Sequence, residues 1–131
     1  MTQTLTIPGT LPGLNELIAA NRSRTKGNVP LGALMKREWT QVVGLYVTAQ
    51  KISPVQNYPV HLAFRWIEPN RKRDPDNIAS GKKFILDALV ETGILLDDRW
   101  KQVNGFRDRF ECEPRNPRII VEIQEAEGTT L

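Results

Sequence analysis

The chain has 131 residues, a single cysteine and a formal net charge of +3, which fits one domain with one modest core and no internal disulfide. Its hydrophobic share of 40% and charged share of 25% are ordinary for a soluble globular protein. No apolar run approaches the roughly 20 residues of a membrane span, and the start Met1-Thr2-Gln3-Thr4-Leu5-Thr6-Ile7 lacks the charged onset and long apolar stretch of a secretory signal; a cytoplasmic protein without a membrane role is expected.

In chain order, residues 5–7 read as a short strand closed by Pro8-Gly9. Residues 10–30 are rich in Gly, Pro, Asn and basic side chains, which predicts a loop with one helical turn around 14–20 and a mobile stretch over 21–28. Met35, Trp39, Val42, Val43 and Tyr46 recur at helical spacing, so an amphipathic helix is predicted over 33–51, ended by Ser53-Pro54. Val60, Leu62, Phe64 and Trp66 alternate with His61, Ala63 and Arg65, the period of a half-buried strand.

A second helix is expected from a cap at Asp76 or Asn77 to Gly93, with Ile78, Ile85 and Leu89 as its apolar stripe. Two alternating segments, 102–112 and 118–125, are expected to pair with each other as antiparallel strands, and the tail 126–131 to fray. The order β-α-β-α-β-β implies one α+β domain over 1–131: a mixed β-sheet with two main helices packed largely on one face.

The chemistry concentrates in Arg71-Lys72-Arg73-Asp74-Pro75-Asp76-Asn77 and in Asp97-Asp98 about twenty residues later. Clustered carboxylates are costly unless a proton or cation compensates them, whereas cations suit a polyanion. Phosphodiester hydrolysis with a divalent metal needs both. Pro75 keeps Asp74 extended and prevents a helix from starting earlier, so Asp74 and Asp76, two apart, are expected to point the same way at a helix N-terminus. At about 100° per residue, Ser80, Lys83 and Asp87 fall within roughly 40° of the Asp76 line. Lys83 is therefore preferred over Lys82 as the cation reaching the acidic site, although Lys83 taken by itself reads first as a plain i, i+4 pair with Asp87. Of Asp97 and Asp98, one serves a turn, and the residues alone do not rank them.

The basic residues Arg22, Arg24 and Lys26, the triplet Arg71, Lys72 and Arg73, and a third run from Arg107 to Arg118 suggest a nucleic-acid surface. His61, the only histidine, sits in a strand pattern, which argues against a Ser-His-Asp triad or a histidine zinc site. No Gly-rich P-loop is present, so no nucleotide cofactor is expected.

Taken together, Arg73-Asp74-Pro75-Asp76-Asn77, Lys83, Asp87-Ala88-Leu89, Gly93 and Asp97-Asp98, with Val103 after them, resemble the RusA family of Holliday junction resolvases, largely of phage and prophage origin. The close resemblance covers about a quarter of the chain, with weaker agreement in the Pro12-Gly13-Leu14-Asn15 turn. It implies a homodimeric, Mg²⁺-dependent endodeoxyribonuclease, with Mn²⁺ a possible substitute, that cuts four-way DNA junctions by paired symmetric nicks in the cytoplasm of a bacterial host. It further implies that Asp74, Asp76 and Asp98 hold the metal and that Lys83 is the catalytic lysine. Arg71, Lys72, Arg73, Arg22, Arg24 and Lys26 would grip the DNA backbone. The chain departs from the family pattern by three extra residues between Asp76 and Asp87, which would move Lys83 about 5 Å along the helix. A different class of function is a junction-binding module of a phage recombination system without nuclease activity. A sugar-nucleotide transferase using Asp-x-Asp is weaker, because the chain is too short for the nucleotide domain that chemistry usually needs.

Overall fold

The computed structural model describes residues 1–127, and runs β1 (Thr2–Pro8), α1 (Leu14–Asn21), α2 (Leu31–Ala49), β2 (Val60–Glu68), α3 (Pro75–Ala79), α4 (Lys82–Glu91), β3 (Val103–Cys112) and β4 (Arg118–Glu125). Residues 128–131 of the tail expected to fray lie outside the described residues. The four strands form one mixed sheet in the order β1-β4-β2-β3: β4 runs antiparallel to both β1 and β2, and β3 runs parallel to β2.

Alternation decides the two faces. Leu5 and Ile7 of β1, Val60, Leu62, Phe64 and Trp66 of β2, and Ile119, Val121 and Ile123 of β4 are all buried on one side. They form one core with Val43 and Val47 of α2 and Phe84, Ile85, Ala88 and Leu89 of α4. The opposite face carries Thr4, Arg65 and Glu122 and stays at least partly exposed. The α+β architecture with helices on one face is as the patterning predicts. Among the described residues no helix is long and apolar enough to cross a membrane.

Two local expectations are corrected. Residues 103–112 and 118–125 do not pair with each other; β4 inserts between β1 and β2, and β3 takes the outer edge. The side chains explain the choice. The apolar row of β4 is fully covered, whereas β3 carries Arg107, Asp108, Arg109 and Glu111, charges that blunt an open edge. The second correction concerns the long helix expected to run on to Gly93. It breaks at Ser80-Gly81 into α3 and α4, with Gly81 N–H donating to Ile78 O at 3.1 Å and Phe84 N–H to Gly81 O at 3.1 Å. These i→i+3 bonds tighten the chain locally. Ser80 and Gly81 keep right-handed helical backbone, so the angular spacing across 80–81 departs from that of one continuous α-helix. The C-terminal end is as expected, with Gly93 at φ +80 just past Thr92.

The long helix predicted over 33–51 is α2, shifted to start directly after Pro30. The single helical turn expected near 14–20 is an eight-residue helix, α1. Residues 21–28, expected to be mobile, belong to a hydrogen-bonded turn in which Thr25 N–H donates to Val29 O at 2.9 Å and Leu31 N–H to Ser23 O at 3.0 Å.

Candidate functional site

The acidic pair is held from behind by an ionic hub. Arg73 donates through Nε to Glu68 Oε1 at 3.0 Å and through Nη2 to Glu68 Oε2 at 3.1 Å, a two-pronged contact with a buried carboxylate. Its Nη1 reaches Leu11 O at 2.9 Å and Glu16 Oε1 at 3.5 Å. The same Glu16 accepts from Gly13 N–H at 3.0 Å and from Asn77 Nδ2 at 3.4 Å. Burial works against the Glu16 carboxylate, but hydrogen bonds from its own backbone N–H and that of Gly13, with Arg73 and Asn77 nearby, hold its carboxyl below the usual range.

The segment 11–15 thereby becomes a strap across α3. Asn15 N–H donates to Asn77 Oδ1 at 2.9 Å, and Leu14 N–H to Ser80 Oγ at 2.6 Å. A Cβ on Gly13 would stand 2.3 Å from Asn77 O, so only glycine permits this approach. The Pro12-Gly13-Leu14-Asn15 turn and Asn77 are thus two halves of one clamp.

In front of the hub, Asp74 takes the N-cap position with extended backbone (φ −72, ψ 151), and Pro75 opens α3. Asp76 is inside the helix rather than in extended chain, and its Oδ1 accepts from Asn77 N–H at 2.9 Å. Both aspartates are exposed. Among the described residues neither enters an ion pair. Two unneutralised carboxylates beside each other at a helix start can accept a hard cation, and Mg²⁺ commonly takes one or two carboxylates plus water and phosphate oxygens.

Asp97 and Asp98 separate into two roles. Asp97 accepts from Asp98 N–H at 2.8 Å and pairs with Arg99 Nε at 3.1 Å, which makes it the turn acid. Asp98 lies 3.6 Å from Lys83 Nζ. Lys83 itself is bound mainly to Asp87 at 2.9 Å, the i, i+4 pair, and Lys36 approaches Asp87 from α2 at 3.6 Å. The hydrogen bond to Asp87, with smaller help from Asp98, pushes Lys83 above the usual lysine range. It is a fixed positive charge rather than a base.

Asp98 is not gathered with Asp74 and Asp76 into one three-carboxylate group; among the described residues no three His, Cys, Asp or Glu side chains are so placed. The reason is visible along β3. Asp98 lines an open cleft with Trp100 and Phe106, whereas Asp74 lines a second cleft with Arg71 and Phe110. Phe106 and Phe110 are four residues apart on one face, which is roughly 13 Å of strand. Between them Lys82 donates to Asp108 Oδ2 at 2.9 Å and stands 4.3 Å from the centre of the Phe106 ring. Asp108 also accepts from Trp66 Nε1 at 2.8 Å. Lys82 thus lies over the β3 ledge formed by Phe106 and Asp108, while Lys83 faces Asp87 and Asp98.

The basic residues divide likewise. Arg71 and Lys72 are exposed, as are Arg22, Arg24 and Lys26. Arg73 is a correction: expected to grip DNA, it is turned inward to Glu68, Leu11 and Glu16, because a buried carboxylate leaves it no freedom to face solvent. The sequence does not single out Glu68, Glu16 or Asp108, and it offers Lys82 only as the alternative to Lys83. Glu68 had a signal, since a carboxylate closing a buried strand row needs a cationic partner. His61 takes the structural place expected of it, on the strand beside Gly105, whose added Cβ would lie 3.0 Å from the ring. No family model matches the chain, and no curated protein matches it.

Proposed function

We propose that this protein is a Mg²⁺-dependent, structure-selective endodeoxyribonuclease that resolves four-way DNA junctions by paired symmetric nicks, acting as a homodimer in the bacterial cytoplasm. The observation that carries the proposal is the exposed Asp74-Pro75-Asp76 pair, free of protein cations and held rigid from behind by Arg73 and Glu68. In this reading Asp74 and Asp76 hold Mg²⁺, and Asp98 stands apart from them beside Lys83. The ion, when bound, activates water and neutralises charge on the cleaved phosphate, and Mn²⁺ can replace it.

The chain's own side chains do the rest. Lys83, kept protonated by Asp87, and Lys82 on the β3 ledge stabilise negative charge that grows on the phosphate oxygens. Arg71 and Lys72, with Arg22, Arg24 and Lys26 on the turn before α2, position the backbone without reading sequence. A two-fold pair presents equivalent sites to equivalent strands, which suits symmetric nicking.

A junction-binding module without nuclease activity is the second reading, and the separation of Asp98 from the pair favours it. One experiment divides them. The protein is incubated with a synthetic four-way junction in Mg²⁺ or in EDTA. Symmetric nicks in Mg²⁺ alone establish the nuclease. Retarded but uncut junction in both establishes the module.

A further inference from the structure

Among the described residues Trp100 is the most exposed of the large apolar side chains, and Leu96, four residues before it, is exposed as well. Trp100 is 93% exposed, while Trp66 is 1% exposed and Trp39 packs against the core. It does not sit on a loose loop. Gln102 N–H and Val103 N–H both donate to Arg99 O, at 2.9 and 2.8 Å, closing a turn with Trp100 at its tip. Arg99 is anchored to Asp97 at 3.1 Å, and exposed Lys101 follows on the other side. The indole borders an open cleft of ≈ 530 Å³ shared with Asp98 and Phe106.

A solvent-facing indole on a hydrogen-bonded turn, flanked by Arg99, which pairs with Asp97, and by exposed Lys101, has the chemistry of a stacking platform for a nucleobase with a cation beside the adjacent phosphate. We infer that Trp100 stacks on an unstacked base at the DNA branch, with Arg99 and Lys101 holding the phosphates beside it. A base-paired duplex keeps its bases in the stack and offers no such face, so this contact distinguishes branched from linear DNA. The inference rests on the proposed DNA-junction function and names the residue that would select the branch.

The test compares wild type, Trp100→Ala and Trp100→Phe on a synthetic four-way junction and on a linear duplex of equal length, without divalent metal. Trp100→Ala is expected to weaken junction binding about tenfold, the size of one lost base stack. Duplex binding should stay unchanged, and Trp100→Phe should retain most of the junction affinity. A 2-aminopurine base at the branch should be quenched by wild type and not by Trp100→Ala. Equal affinity of wild type and Trp100→Ala for the junction overturns this inference and leaves the proposed function standing. Equal loss on junction and duplex also overturns it, as does a change of sedimentation from dimer to monomer in Trp100→Ala. Wild type that binds neither DNA overturns both.

Discussion

Asp76 and Lys83 carry the sharpest consequences of single side chains. Asp76→Asn removes a charge from an exposed position that makes only a local hydrogen bond to Asn77. It should abolish junction cutting and leave junction affinity and melting temperature nearly unchanged, as read by gel assay and thermal scan. Loss of folding together with cutting would assign Asp76 to a structural cap instead. Lys83→Ala should lower cutting about a hundredfold, while Asp87 keeps its partner Lys36. Because Asp87 raises the Lys83 pKa, the charge is complete below the ordinary lysine value and is lost only as pH rises above it. The cutting rate should therefore not decline through lysine deprotonation between about pH 7 and about pH 10. Full activity in Lys83→Ala would shift the electrostatic role to Lys82, whose bond to Asp108 already places it on the β3 ledge.

At the level of elements, the strap 11–15 and α3 stand or fall together. Gly13→Ala would drive a methyl against Asn77 O and should destabilise the fold by about 1–3 kcal/mol, measured by denaturant unfolding. Arg73→Met should cost more, about 3–5 kcal/mol, because it leaves the buried Glu68 carboxylate without its partner. Junction affinity measured on the folded fraction should be unchanged, since Arg73 faces inward. A folded variant with weakened DNA binding would return Arg73 to the backbone-gripping residues.

The same elements show what could be read from the chain alone. The core alternation of β2 and β4, the amphipathic α2 and the Gly93 stop follow from local pattern, and all stand in the structure. The order of strands does not follow from local pattern, because pairing of β4 with β1 and β2 is decided by which rows are covered. The break at Gly81 has a local part and a distant part: Ser80-Gly81 is a weak pair inside a helix, and the strap meets it there, with Leu14 N–H bonding Ser80 Oγ and Leu11 packed on Gly81. Across the break Lys83 still faces Asp87 and Asp98, and Lys82 still lies on the apolar side over the Phe64 and Phe106 rings.

At the scale of the whole molecule, three carboxyls among the described residues hold depressed pKa values. Glu111 is lowered chiefly by its hydrogen bond to Arg65, Glu125 by the Asn57 N–H, and Glu16 by the hydrogen bonds and charge that outweigh its burial. A depressed carboxyl contributes stability above its unfolded pKa, about 4.3, and loses it as pH falls through the folded value. Melting temperature should thus fall as pH drops below about 4.3, and replacing all three by Gln should flatten that decline. An undiminished pH response in the triple variant would place the acid lability elsewhere. These groups tie the strap to α3, β2 to β3, and β4 to the 56–57 loop, so acid should loosen the frame around the acidic pair before the apolar core.

The central claim is that Asp74 and Asp76 capture a divalent cation beside bound DNA, and the direct measurement is an anomalous difference map from crystals of the protein with a four-way junction, soaked in Mn²⁺. A peak within ligand distance of Asp74 and Asp76 and of a backbone phosphate is the predicted result. A fully bound junction with no peak at this pair, or with Mn²⁺ held elsewhere on the chain, would contradict it.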